Sequence, residues 1–332
     1  MTNIRAAITG VGGYVPDYIL TNEELSRMVD TSDEWITQRV GIKERRILRE
    51  KGKATSYLAT NAVKELLEKT NTDPKDVDLL VISTITPDMR FPSAANITGY
   101  NAGLVNAITF DLNAACSGFI YGLEVVSRLI ESGSYKKAIL VGADMMSTIT
   151  DYTDRSTCPL FGDAAAAVLV EPSDSGYGVI DRIIGYNGIG RQYLYMKAGG
   201  SLHPPTHETI DNKEHYVYQD GKSVFKFAVE TMSDISVEIM QRNNISPNKN
   251  TWLVPHQANM RIIEAVSRRM GLDKEHVLIN IEKYGNTTAA TIPLCFWDFE
   301  KQLKKGDDVI ITAFGAGFTY GSIYIKWAYS SN

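Results

Sequence analysis

The feature that most constrains this chain is a faint internal repeat. Shifted by 170 residues, Ile139-Leu140-Val141 falls on Val309-Ile310-Ile311, Ile108-Thr109-Phe110 falls on Leu278-Ile279-Asn280, and Cys116 falls on Asn286. A slightly different shift places Leu79-Leu-Val-Ile82 on Thr251-Trp-Leu-Val254. Each copy reads as strand, polar turn and helix, then a second strand after a Lys-Lys or Lys-Lys-Gly-Asp connection. The turn-rich segment Pro172-Ser-Asp-Ser-Gly176 divides the copies into residues 1–172 and 173–332. Equivalent loops of two such halves face each other across a pseudo-twofold axis, where Cys116 and Asn286 would meet at one site.

Within each half, strand-like and helix-like segments alternate. Val77–Ser83, Ala107–Phe110, Ala138–Val141 and Ala164–Val170 are strand candidates, and Gly142 follows the third. Leu58, Ala62, Val63, Leu66 and Leu67 share one helical face. This alternation predicts an α/β fold whose sheets are covered by helices. Composition excludes several function classes. The 332 residues are 44% hydrophobic and carry a net charge of -5, which argues against a general nucleic-acid binder. No apolar run approaches the roughly 20 residues that span a bilayer, and Met1-Thr-Asn-Ile-Arg5 lacks a secretory pattern. Three scattered cysteines (Cys116, Cys158, Cys295) give neither a zinc spacing nor a disulfide framework, which predicts a reducing cytoplasm.

Cys116 stands in Phe110-Asp-Leu-Asn-Ala-Ala-Cys-Ser-Gly-Phe119, between a strand and a helix carrying Phe119, Ile120, Leu123, Val126, Leu129 and Ile130, with Gly133 placed to stop it. Unpaired amides and the helix dipole favour a thiolate there, as in a nucleophile. Cys158, before Pro159, reads as a turn, and Cys295 as a buried helical residue. His256 follows a short strand ending at Pro255, the end at which α/β sheets contact ligands. By position it is a functional or a satisfied structural histidine, with neither favoured. Asn286 lies in Tyr284-Gly-Asn-Thr-Thr-Ala-Ala290, where Gly-Asn is also a common turn pair, before a helix containing Pro293 that begins just after Thr288. Ala313-Phe-Gly-Ala-Gly-Phe-Thr-Tyr-Gly321 lines an oxyanion hole or simply turns tightly. Gly10-Val-Gly-Gly13 is a weak nucleotide fingerprint. His203, His207 and His215 fall in a polar excursion, Gly199–Gly221, that lacks periodicity apart from a short strand at Tyr216–Tyr218. They read as surface histidines with no metal pattern, and His276 as part of a solvated turn.

Taken together, Asp33-Glu-Trp-Ile-Thr-Gln-Arg39, Phe91-Pro-Ser-Ala-Ala95, the Cys116 motif, Leu160-Phe-Gly-Asp163, Val224-Phe-Lys-Phe-Ala-Val229, Pro255-His-Gln-Ala-Asn-Met-Arg261, Tyr284-Gly-Asn-Thr-Thr-Ala289 and Phe314-Gly-Ala-Gly-Phe318 resemble the thiolase superfamily. Within it the chain is similar to the 3-oxoacyl-(acyl-carrier-protein) synthases III, from Ile8 to Trp327. The resemblance implies a thiolase-like fold of two duplicated halves in a five-layer α/β/α/β/α core, and a homodimer. It implies that Cys116, His256 and Asn286 are catalytic and that the backbone of Cys116 and Ala316 holds an oxyanion. Acyl-CoA and malonyl-acyl carrier protein are the implied substrates, with no metal or redox cofactor. Cys116 would take the acyl group, and a neutral His256 and the Asn286 amide would donate to the enolate left by decarboxylation.

Further roles follow from the same resemblance. Trp35, Arg39, Arg155, Phe225, Ala228 and Asn259 are implied for coenzyme A, and Gln257, Ala258, Asn259, Met260 and Arg261 for the carrier protein. Lys226, Arg261, Arg268, Arg269 and Lys274 would supply a basic docking patch on an acidic enzyme. Phe91, Gln219 and Gly221 are implied for the acyl pocket, Phe91 reaching into the partner's. Two departures, the long excursion and Gly-Ala-Gly for a triple glycine, leave the primer open among acetyl, propionyl and branched acyl groups. A synthase III-like acyltransferase of secondary metabolism and an acyl-CoA cysteine hydrolase are the competing readings.

Overall fold

The structure, a computed structural model, describes residues 4–331. The first half contributes strands β1 (Arg5–Tyr14), β2 (Leu79–Ser83), β3 (Ile108–Leu112), β4 (Ala138–Met145) and β5 (Asp163–Ser173). The second contributes β6 (Gly178–Tyr186), β7 (Thr251–Pro255), β8 (Asp308–Gly315) and β9 (Thr319–Lys326). The principal helices are α1 (Asp33–Val40), α2 (Thr55–Thr70), α3 (Ala94–Ala102), α4 (Gly118–Glu131), α5 (Gly221–Arg242), α6 (Met260–Met270) and α7 (Thr291–Phe299).

The first sheet runs β1-β5-β4-β2-β3 and the second β6-β9-β8-β7. Strand directions match as well as order. β2 and β4 pair in parallel, as β7 and β8 do, while β4–β5 and β5–β1 are antiparallel, as β8–β9 and β9–β6 are. The second sheet has only a parallel bridge, Leu253–Val277, where the first has β3.

Alternation along each strand explains the layering. Leu79 and Val81 face one cluster while Leu80 and Ile82 face another, and Val309, Ile311 and Ala313 alternate likewise with Ile310. Strands apolar on both faces must be covered on both. α4 and α7 fill the space between the sheets, where Phe119 meets Phe296 edge-on at 6.4 Å between centroids. Each such buried ring contributes roughly 1.5–3 kcal/mol. α2 and α3 cover the outside of the first sheet, and α5 and α6 the outside of the second. The result is five layers, α/β/α/β/α.

Three expectations need correction. β4 does not end before Gly142 but runs through it. The glycine is required because a Cβ there would lie 2.2 Å from the Ala289 carbonyl oxygen at the start of the α7 turn. The 199–221 excursion is folded rather than irregular. Thr206 caps a short helix, His207–Asp211, and Val217–Gln219 pairs with Leu194–Met196. Lys213 ties this lobe to Asp151 at 2.9 Å. His276 is half-buried against Trp252, at 5.3 Å between ring centroids, rather than on a solvated turn.

Candidate active site

Cys116 sits in a 3-10 turn, Ala115–Ser117, that leads into α4. Ala115 is held at φ +48°, a left-handed conformation costly for a residue with a Cβ. The second half repeats the device: Thr288, at φ +51°, opens the turn Thr288–Ala290 that leads into α7. Asn113 Oδ1 lies 3.4 Å from the Ala115 amide, as Asn286 Oδ1 lies 2.9 Å from the Thr288 amide. This local match aligns Asn286 with Asn113 and Cys116 with Ala289. The equivalence of Cys116 and Asn286 drawn from the sequence is therefore out of step at this turn. Proximity brings the two together all the same, because both line one cavity and the Asn286 side chain acts to lower the Cys116 thiol.

The orientation of Asn286 is fixed. Its backbone N–H donates to the Leu160 carbonyl at 2.8 Å and its carbonyl accepts from Gly162 N–H at 3.1 Å. Since Oδ1 accepts from Thr288, the amide Nδ2 is the atom left to donate towards the cavity. His256 follows β7, and its amide donates to the Thr312 carbonyl at 2.8 Å. Its Nδ1 lies 2.8 Å from Thr291 Oγ1. Burial holds the imidazole down at about 3, so the ring is neutral. Burial also pushes the Cys116 thiol up to about 12, and the carboxylate of Asp144 adds to it. Hydrogen bonds from its own backbone and from Asn286 pull the other way without prevailing. The thiolate expected from the helix start is thus outweighed, and the resting pair is a neutral thiol with a neutral imidazole.

Asp144, fully buried on β4, organises the turn from behind. One oxygen accepts from Thr84 Oγ1 at 3.0 Å, Ile85 N at 2.8 Å and Thr86 Oγ1 at 2.9 Å, and the other from Thr288 Oγ1. The glycine-rich ending is clamped to the cysteine turn. Ser117 Oγ donates to the Thr319 carbonyl at 3.0 Å, and Thr319 Oγ1 to the Ala114 carbonyl at 2.9 Å.

Cys116, His256 and Asn286 line one cavity of about 920 Å³, which Trp35, Arg39 and Arg155 also border. The Arg155 guanidinium lies 5.2 Å from the Trp35 ring centre and pairs with Asp30 at 3.2 Å. Phe225, Ala228, Asn259, Gln219, Gly221 and Ala316 border the same cavity, and Asn259 Nδ2 donates to the Arg39 carbonyl at 3.4 Å. Phe91 does not border it and projects from the surface, 85% exposed. Gln257 is wholly buried. Its Oε1 accepts from Asn280 N and Ile281 N, and its Nε2 donates to the Pro255 and Leu278 carbonyls. With its side-chain amide used inside the chain and none of its surface exposed, Gln257 has no free face for a docked protein, contrary to the expectation. Ala258, Asn259 and Met260 are half-buried, and Arg261 is exposed with its guanidinium 5.1 Å from the Phe225 ring centre. Lys226, Arg268, Arg269 and Lys274 are exposed, Arg269 beside Asp234 at 3.7 Å.

The structure adds cavity residues that sequence reasoning missed, among them Leu194, Tyr195, Met196 and Val217 on the two-stranded ribbon. The apolar run Tyr193–Met196 was the available signal, since the short strand at Tyr216–Tyr218 needed a partner. Cys158 is buried in the loop before Leu160, and Cys295 is buried on α7. Among the described residues, no His, Cys, Asp or Glu cluster is placed to hold a metal ion.

With that geometry established, comparison with known proteins identifies the family. The 3-oxoacyl-(acyl-carrier-protein) synthase III family matches residues 110–188, and its C-terminal counterpart matches residues 240–327. Beta-ketoacyl-(acyl-carrier-protein) synthase III 2 of Bacteroides thetaiotaomicron is 57% identical over 99% of this chain and 98% of its own. The chain belongs to the 3-oxoacyl-(acyl-carrier-protein) synthase III family. Two solved structures place it further. The synthase III of Aquifex aeolicus superposes with a TM-score of 0.88 at 38% identity, covering 97% of this chain and 100% of that one. A priming beta-ketosynthase of the R1128 polyketide pathway gives 0.90 at 30% identity over 98% and 97%. Members of the synthase III family are acyl-transferring condensing enzymes, and the thiolase-like fold is shared throughout this set.

Proposed function

We propose that this chain catalyses the initiating condensation of fatty-acid synthesis, joining a short acyl-CoA to malonyl-acyl carrier protein. The observation that carries the reading is the convergence of Cys116, His256 and an orientation-fixed Asn286 on one cavity. In the first half-reaction the Cys116 sulfur attacks the thioester carbonyl. The cysteine S–H proton leaves with the coenzyme A sulfur, giving acyl-Cys116 and free CoA. Backbone N–H groups of Cys116 and Ala316 are the proposed oxyanion donors. In the second, the malonyl carboxylate leaves as carbon dioxide and the enolate oxygen takes donors from His256 and Asn286. The enolate carbon then attacks acyl-Cys116; the sulfur leaves as a thiolate, takes up one proton from solvent to return to the thiol, and the 3-oxoacyl product stays on the carrier. Neutral donors suit this step, because a carboxylate would repel the forming enolate.

Trp35, Arg39 and Arg155 are the proposed adenine-end contacts, with Phe225, Ala228 and Asn259 along the pantetheine path. Arg261 and its exposed basic neighbours would face the acidic carrier. We read the enzyme as a cytoplasmic homodimer of subunits with halves 1–172 and 173–332. Phe91, exposed and outside its own cavity, would close the partner's acyl pocket beside Gln219 and Gly221.

Intact-mass spectrometry after mixing with a panel of acyl-CoAs tests the first half-reaction and ranks the primers. Cys116→Ala is expected to lose the acyl mass shift, and a retained shift would overturn the nucleophile assignment. Adding malonyl-carrier protein should then release carbon dioxide and clear the acyl group. The likeness to a polyketide-pathway protein raises secondary metabolism as a setting, and the second reading there is a synthase III-like acyltransferase acting without malonyl extension. That reading predicts transfer without carbon dioxide release. A hydrolase would instead give steady CoA and free acid with no extender present.

A further inference from the structure

The lobe beside the cavity is tied to the body of the enzyme by one side chain. Its ribbon, Leu194–Met196 with Val217–Gln219, borders the cavity, and the two strands pair only with each other. No layer of chain backs this wall: Tyr218, Ile210 and Leu202 are 50%, 51% and 86% exposed. Inside the lobe the polar bonds are local, from the Ala198 N–H to the Glu214 carbonyl at 2.8 Å and from Lys197 to the Glu214 carboxylate. Among the described residues, the polar contacts between 195–218 and the rest of the chain are those of the Lys213 ammonium. It reaches Asp151 Oδ2 at 2.9 Å and Thr153 Oγ1 at 2.6 Å. The directions of these bonds are forced, since an ammonium only donates and a carboxylate only accepts. The Thr153 hydroxyl therefore accepts from Lys213 and gives its one proton to Asp151 Oδ1, 2.7 Å away, which also takes the Thr153 N–H at 2.9 Å. Burial opposes the charge on Asp151, but the bonds from Lys213 and Thr153 outweigh it and hold the carboxyl below the usual carboxylate range. The backbone of Lys213 adds a second observation. It sits at φ +58°, a left-handed conformation that glycine or asparagine adopts at less cost. A lysine bears that strain, and its side chain is the one that reaches Asp151.

We propose that Lys213 is a positioning residue, an ionic latch that keeps the ribbon closed against the cavity and so shields acyl-Cys116 from water between the two half-reactions. The inference rests on the acyl-Cys116 reading given above. After coenzyme A leaves, the thioester waits for the second substrate. A water that reaches it bonds its oxygen to the acyl carbon, and the carbon–sulfur bond breaks. One water proton returns the sulfur to a thiol, and the acyl group is lost as free acid. Each opening of the wall admits that reaction, so the loss follows the population of the open lobe. Lys213 acts through the ribbon and touches no reacting atom.

The test pairs hydrogen exchange with intact mass in the full-length enzyme. Lys213→Met keeps most of the stem and removes the charge. Amide exchange across 197–218 should rise about fivefold, the upper range for one exposed ion pair, while exchange in β2 stays as in wild type. Acyl-enzyme freed of excess acyl-CoA by gel filtration should lose its acyl mass faster by the same factor, and Lys213→Arg should restore both. In wild type, about 1 M sodium chloride, where the Debye length is about 3 Å, should reproduce the variant, and the variant should not respond. Unchanged lobe exchange in Lys213→Met, faster exchange with an unaltered acyl-enzyme lifetime, an equal rise in β2, equal effects in the Met and Arg variants, or a Met variant as salt-sensitive as wild type would overturn the proposal. Acyl mass retained in Cys116→Ala would instead remove the acyl-Cys116 reading, while the latch measured by exchange stood. The two failures are therefore distinguishable.

Discussion

At the scale of single residues, the cysteine that looked poised for ionisation is held as a thiol. A strand-to-helix junction favours a thiolate, but burial and Asp144 push Cys116 up to about 12. The sign is definite: a raised thiol is protonated at neutral pH, and its thiolate fraction grows about tenfold per pH unit until that value is reached. Alkylation of Cys116 by iodoacetamide, followed by intact mass, should rise with unit slope from pH 7 to pH 10. A plateau near pH 8 would contradict this. Asp144→Asn should speed alkylation at fixed pH, because it removes a raising charge. Asn286→Ala should leave acylation intact and slow condensation roughly 100-fold, the scale for one preorganised donor. Equal loss of both half-reactions would make Asn286 structural. That Cys116 and Asn286 would meet at one site was legible in the sequence, but the protonation of the thiol was not. Asp144 is distant along the chain and reaches the turn only through the packing of β4 against it. Gln257 shows the same limit: its motif position suggests a surface contact, and only the fold reveals it as a buried brace between β7 and the Asn280–Ile281 turn.

At the scale of elements, the two halves meet where β4 touches the turn before α7. The apolar runs and helical stripes of β2, β4, β8, α2 and α4 were readable because both sheet faces are covered. The three-residue slip between Cys116 and Asn286 was not readable, because backbone conformation at Ala115 and Thr288 sets the local alignment rather than side-chain similarity. The contact at Gly142 makes a direct test of the junction. A Cβ there would stand 2.2 Å from the Ala289 carbonyl oxygen and 2.6 Å from its carbon, both backbone atoms that cannot rotate away. Gly142→Ala should therefore destabilise the fold by at least the 1–3 kcal/mol, roughly, of ordinary overpacking. The displaced turn should also carry Asn286 and Thr291 out of place. Thermal unfolding should show a lowered midpoint, and condensation in the surviving folded protein should fall more than acylation. An unchanged midpoint would mean that the two sheets are not held as tightly as this contact requires.

At the scale of the whole molecule, the β3 edge of the first sheet stands out in the single chain. β3 pairs with β2, and among the described residues no strand covers its other side. Around it stand Ile108 at 56% exposure, Val105 at 73% and Tyr100 at 88%. A bare edge with large apolar neighbours is a template for pairing, and stable proteins cover or charge such edges. On the proposed homodimer reading, a second copy across a twofold axis would cover this edge with the same surface, and Phe91, which lies outside its own subunit's cavity, would face the partner. Ile108→Lys puts an uncompensated charge on both sides of that axis. It should convert dimer to monomer in light-scattering measurements at micromolar concentration. Phe91→Ala should leave the dimer intact and shift the ranking of acyl-CoA primers towards bulkier groups, because only a pocket wall is removed. A monomeric wild type would undo the dimer argument. A dimeric Phe91→Ala enzyme with unaltered primer order would keep the dimer but take Phe91 out of the acyl pocket, leaving the choice of primer to the residues of one chain.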